Sequence, residues 1–67
     1  MQERNFAKAL RILRKEDQRR CAEAMGITQP AYSRFELGRQ EVSKEALHRL
    51  AAFLKVDAAL LEESVNA

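Results

Sequence analysis

Apolar side chains recur along this chain at helical spacing, broken by residues that start and stop helices. Phe6, Ala9, Leu10 and Leu13 fall at i, i+3, i+4 and i+7, while Arg4, Lys8, Arg11 and Lys15 line another face. A first amphipathic helix is predicted from about Glu3 to Lys15. Asp17 is suited to cap a second, short helix, about Gln18 to Met25, with Cys21, Ala22 and Met25 turned inward. Gly26 stands where a left-handed residue would end it. Thr28 caps a third helix with Pro30 in its first turn, where the missing N–H costs nothing. That helix runs to about Leu37 and stops at Gly38; Arg39–Val42 reads as a loop. Ser43 caps a fourth helix whose Leu47, Leu50, Ala51 and Leu54 face the core. Asp57 caps a last one, about Ala58 to Glu63, and the tail Ser64–Ala67 is expected to fray.

The middle pair is the informative part. Two helices of about eight residues are separated only by Gly26, Ile27 and Thr28, a turn that sets helices steeply across each other, with Ile27 plugging the gap. At about 100° per residue, Gln29, Pro30, Ser33, Arg34 and Leu37 share one side of the third helix. Ala31, Tyr32, Phe35 and Glu36 share the other. The outward side thus offers Gln, Ser and Arg, which pair well with base edges, and no acid. Its N-terminus would present free amides to an anion.

Composition narrows the field. A chain of 67 residues makes one small domain that buries only about 60% of its unfolded surface, with little room for a walled catalytic cleft. Ala, Leu, Glu, Arg and Lys abound, which favours an all-α fold. No apolar run reaches the roughly 20 residues of a membrane helix, and MQERNFAKAL has no signal-peptide pattern. The lone Cys21 cannot form an internal disulfide, so a reducing cytoplasm is the natural setting. Residues 1–39 carry nine Lys/Arg against five Asp/Glu, a balance of +4, whereas residues 40–67 carry three against five, or −2. Arginine outnumbers lysine eight to four, as suits a surface that grips phosphate or guanine with a planar fork.

The stretch Gln18–Gly38, QRRCAEAMGITQPAYSRFELG, resembles the helix-turn-helix of the phage repressor and Cro family of DNA-binding proteins. The matching features are Gln18 opening the second helix, Ala22 at the crossing, Gly26 in the turn, and apolar Cys21, Met25, Ile27, Tyr32 and Phe35. Ser33-Arg34-Phe35-Glu36 and then Gly38 fit the family's third-helix ending, and EVSKEALHRLAAFLKVDAALLEE resembles its fourth and fifth helices. The resemblance covers about residues 5–63 and implies one five-helix, all-α repressor-like domain over 1–67, with the helix-turn-helix at about 18–37. Three features depart from the family. Its usual turn between the first two helices is longer, often with a glycine and a leucine, so a deletion of about three residues is inferred before Asp17. An ungapped register would put charged Glu16 at an apolar position. Lys55 replaces a common glycine after the fourth helix, where a left-handed lysine costs about 1 kcal/mol. Val42 replaces a frequent proline.

The resemblance implies roles by position. Gln29, Pro30, Ser33 and Arg34 would enter the major groove, Gln29 to adenine N6/N7 and Arg34 to guanine O6/N7 or a phosphate. Pro30 can offer only van der Waals contact. Gln18, Thr28, Arg39 and Gln40 would meet the DNA backbone, with capping alone the alternative role for Thr28 and Lys44 a further candidate. Arg14 and Glu36 match a family ion pair joining the first and third helices. Arg19 and Arg20 look like a nucleic-acid patch, one of them solvated. Cys21 and Tyr32 read as core. His48 lacks a Cys or second His at ligand spacing, so no metal or other cofactor is expected. Catalysis lacks parts: there is no nucleophile elbow or phosphate loop, and Ser43, His48 and Asp57 form no triad because two of them read as caps.

The expected function is sequence-specific binding of double-stranded operator DNA by a cytoplasmic homodimer, regulating transcription in a bacterium or phage with no membrane or small-molecule partner. The dimer surface is sought among Leu60, Leu61 and Val65, which cannot all face inward on one short helix. Two alternatives stay open, the antitoxin half of a toxin–antitoxin pair and a protein-interaction adaptor on the same fold. Steep salt dependence would mark a DNA binder against an adaptor.

Overall fold

A computed structural model describes residues 6–66, with side chains through Ser64. Its helices are α1 (Ala7–Leu13), α2 (Gln18–Met25), α3 (Gln29–Glu36), α4 (Lys44–Leu54) and α5 (Ala58–Asn66). There is no strand among the described residues, so the fold is all-α, as the composition leads one to expect.

Side-chain caps start four of these helices. Asp17 accepts the Arg20 N–H at 2.8 Å, Thr28 that of Ala31 at 3.3 Å, Ser43 that of Ala46 at 3.0 Å and Asp57 that of Ala59 at 2.9 Å. Each satisfies an amide that the helix leaves without a partner, typically worth about 1 kcal/mol. Four ends share one closure, in which an amide reaches back five residues to a carbonyl: Glu16 to Arg11, Ile27 to Ala22, Arg39 to Arg34 and Val56 to Ala51. The closure needs a left-handed residue. Gly26 and Gly38 supply it at φ 77° and 76°, and Lys15 and Lys55 supply it at 60° and 61°. Ile27 and Val56, just past their turns, pack against the core.

α4 lies at the centre, packed against α2 and α5, and α2 packs on α3. The core joins Cys21, Ala22 and Met25 of α2, Tyr32 and Phe35 of α3, Ala46, Leu47, Leu50, Ala51 and Leu54 of α4, Leu61 of α5 and Ala7 of α1. The Tyr32 and Phe35 rings meet at 5.7 Å between centroids in a tilted pair. The only cysteine, Cys21, is fully buried, and burial pushes its thiol pKa up, so it acts as core packing.

α1 departs from its sequence pattern. The expected start near Glu3 lies outside the described residues, and the helix ends at Leu13 rather than Lys15. Its inward side is Ala7 with half-buried Leu10 and Arg11, whereas Phe6 is 45% and Leu13 71% exposed and Ala9 is exposed too. The segment before Asp17, where a deletion was inferred, forms a turn after α1. Arg14, Lys15 and Glu16 make a full turn with Lys15 in the left-handed position. Glu16 tolerates the apolar slot because it stays partly exposed and pairs with Arg20 at 3.1 Å. α5 also differs, continuing as helix to Asn66 where fraying was expected from Ser64. Ser64 is buried, accepting the Phe6 N–H at 3.2 Å and donating to the Leu61 carbonyl at 2.9 Å. That bond links Ser64 of α5 to the residue preceding α1.

Candidate nucleic-acid interface

α3 divides along its length. Ala31, Tyr32, Phe35 and Glu36 are buried, leaving Gln29, Pro30, Arg34 and Leu37 exposed and Ser33 half-buried. The acid that follows Phe35 in sequence is therefore withdrawn from the outer face. Pro30 sits in the first turn and Thr28 caps the helix directly after the Gly26 turn, so the exposed residues begin at the helix's N-terminal end. That end is electropositive.

Behind this face lies one buried carboxylate. Arg11 holds Glu36 with two bonds, Nε to Oε2 at 2.6 Å and Nη2 to Oε1 at 3.2 Å. Gln18 donates from Nε2 to Oε1 at 3.1 Å. The Glu36 side chain is only 3% exposed and that of Arg11 13%. Burial pushes the Glu36 carboxyl pKa up, but the donors around it, Arg11 foremost, push it further down, and the group lies below its ordinary value. Arg11 is correspondingly raised, first through its hydrogen bond to Glu36. The Tyr32 hydroxyl is buried nearby without a well-formed hydrogen bond, yet close enough to Glu36 to help hold that carboxyl down. The Tyr32 pKa itself is pushed far up, by burial first.

The two long polar side chains of the outer face are both backed. Gln29 Nε2 donates to Gln18 Oε1 at 3.4 Å, and Arg34 Nε donates to Gln40 Oε1 at 2.9 Å. Holding Nε leaves the outer nitrogens of the Arg34 fork available. Arg39 is exposed beyond α3, Gln40 is half-buried, and Lys44 is exposed in the first turn of α4. The helix-turn-helix domain family matches residues 5–63, almost the whole chain.

The chain belongs to the helix-turn-helix family.

It is of the phage repressor and Cro-like kind, a DNA-binding fold, with α2 and α3 as its helix-turn-helix. No curated protein and no solved structure matches it. Within this helix-turn-helix domain the expected Arg14–Glu36 pair is corrected to Arg11–Glu36. Arg14 stands just past α1 and donates from Nη2 to the Lys55 carbonyl at 3.3 Å.

Other expected residues sort by environment. Thr28 spends its hydroxyl oxygen on the cap and stays exposed. Gln18 turns one amide hydrogen inward to Glu36. Arg20 is bound to Glu16 and lies 5.9 Å over the Phe53 ring, while Arg19 is exposed, which separates the pair. Leu61 is completely buried and is withdrawn as a dimer contact; Leu60 is 40% exposed, and the Val65 side chain lies outside the described residues. His48, expected to bind no metal, meets Glu62 at 2.5 Å and ties α4 to α5. No helix among the described residues is long and apolar enough to cross a membrane.

Proposed function

We propose that this helix-turn-helix domain binds a specific double-stranded DNA site as a homodimeric transcriptional regulator, with α3 in the major groove. The observation that carries the reading is the acid-free outer face of α3, where Gln29, Pro30, Ser33 and Arg34 lie together while Glu36 is turned inward. Gln29 reads adenine, the Arg34 fork reads guanine, and Pro30 and Ser33 add close contact. Thr28 and Arg39 meet the phosphates, helped by the amide hydrogens that Gln18 and Gln40 keep free. One such helix covers too few base pairs to select a site in a genome. A two-fold dimer doubles the readout over half-sites about 34 Å apart. Its surface lies away from the basic half, on α5, with Leu60 as the exposed apolar contact. Acting on DNA, it works in the cytoplasm of a bacterium or phage-infected cell, through its own concentration and affinity.

Site selection from random duplex DNA tests the readout. Gln29→Ala and Arg34→Ala should each weaken binding to the selected site by about 1–3 kcal/mol and relax preference at one position, while Arg39→Ala weakens all sequences alike. Retained wild-type preference in the first two would defeat the assignment. Sedimentation equilibrium of Leu60→Glu should show a folded monomer that binds whole and half sites equally.

A further inference from the structure

The outward sides of α1 and α5 carry opposite charge. Residues 6–15 hold Lys8, Arg11, Arg14 and Lys15 and no acid, while residues 57–66 hold Asp57, Glu62 and Glu63 and no Lys or Arg. Arg11 is spent on Glu36 and Glu62 on His48. Lys8 stays exposed on α1 and Glu63 on α5. Both helices also show apolar surface: Ile12 is 56% and Leu13 71% exposed on α1, and Leu60 40% on α5. Lys8 and Ile12 are one turn apart on α1, as Leu60 and Glu63 are on α5, so each pair shares a side.

The two helices run antiparallel and side by side, tied at both ends. The Phe6 N–H, just ahead of α1, donates to Ser64 near the end of α5 at 3.2 Å. Arg14, just past α1, donates to the carbonyl of Lys55, which precedes α5, at 3.3 Å. A two-fold axis running between neighbouring helices sets each against the other's copy, so that every contact occurs twice. Pairing α1 or α5 with its own copy would instead bring Lys8 near Lys8 or Glu63 near Glu63, and like charges disfavour such contacts. From this arrangement we infer that α1 docks on α5 of a second copy of this chain, while its own α5 receives the second copy's α1. In this crossed seam Ile12 and Leu13 cover Leu60 of the partner subunit, and Lys8 faces Glu63 of the partner subunit. The seam rests on the proposed homodimer and names what the exposed Leu60 meets.

Sedimentation equilibrium of the full chain tests it. Lys8→Glu and Glu63→Lys each turn two attractive pairs into repulsive ones and should weaken the dimer about tenfold, a small effect per pair that counts twice. Mixed in equal amounts, the two variants should form a heterodimer within about threefold of wild-type affinity, because each seam again joins an acid to a base. Ile12→Ser, which adds no charge, should weaken the dimer by about tenfold through lost apolar burial. All three positions are exposed or at the surface of α1 and α5, and circular dichroism checks that the variants stay helical. If Lys8→Glu and Ile12→Ser dimerise like wild type while Leu60→Glu is monomeric, α5 meets something other than α1; the seam is overturned and the homodimer stands. Variants that gain nothing on mixing overturn the seam in the same way. A wild-type chain that stays monomeric at high concentration refutes the homodimer itself, and the seam with it.

Discussion

α1 and α3 are short arginine-bearing helices that look equally amphipathic in sequence, yet they are held in opposite ways. α3 buries what its pattern says it should, with Tyr32 and Phe35 in the core and polar side chains outside. α1 buries Ala7 and leaves Phe6, Ile12 and Leu13 largely exposed. It is tied down by polar bonds: Arg11 to Glu36, the Phe6 N–H to Ser64, and Arg14 to the Lys55 carbonyl. An apolar stripe therefore does not by itself set a helix's rotation when a buried charge elsewhere requires a partner. Leaving Glu36 uncompensated would cost more than exposing two aliphatic side chains, because a buried pair broken on one side loses about 3–5 kcal/mol.

The sharpest way to break this comparison is to remove its ionic half. Glu36→Ala and Arg11→Ala should each destabilise by about 3–5 kcal/mol, while Arg14→Ala stays within about 0.5 kcal/mol. A domain of this size holds only about 3–10 kcal/mol in total. Denaturant unfolding with a double-mutant cycle checks it, and Glu36 should couple to Arg11 and not to Arg14.

Cutting into the apolar half should be similarly costly in α3 and nearly free in α1. Phe35→Ala is expected to lose about 3–5 kcal/mol, against a change within about 0.5 kcal/mol for Leu13→Ala. Equal losses would mean that Leu13 is core after all.

Acidity sharpens the contrast more gently. The Glu36 carboxyl is held below its ordinary value of 4.5 in the folded protein. Its contribution is complete above that value and is lost as pH falls through the lower folded value. Thermal unfolding across an acid series should show the loss, and Arg11→Ala should flatten it.

The smallest effect tests the α1–α2 turn. Lys15→Gly and Lys55→Gly relieve left-handed lysines and should each stabilise by about 0.5–1 kcal/mol, after the extra unfolded-state entropy of glycine is subtracted. A loss at position 15 would contradict the full-length turn.

The sequence by itself determined what is local. Asp17, Thr28, Ser43 and Asp57 mark helix starts because a cap bonds an amide two or three residues away. Gly26 and Gly38 mark stops because the turn needs a left-handed residue there. Both faces of α3 follow from a period that Tyr32, Phe35 and Glu36 all obey, so the reading face with Gln29 and Arg34 was legible. Only the tertiary structure decided the rotation of α1, the identity of the Glu36 partner, the ordered turn at Ser64 and the backing of Gln29 by Gln18 and of Arg34 by Gln40. Arg11 in α1 and Arg14 just past it lie three residues apart in one helical pattern, and that pattern does not choose between them. The choice depends on where a carboxylate 25 residues further along comes to rest, and burial makes that one contact outweigh the apolar stripe.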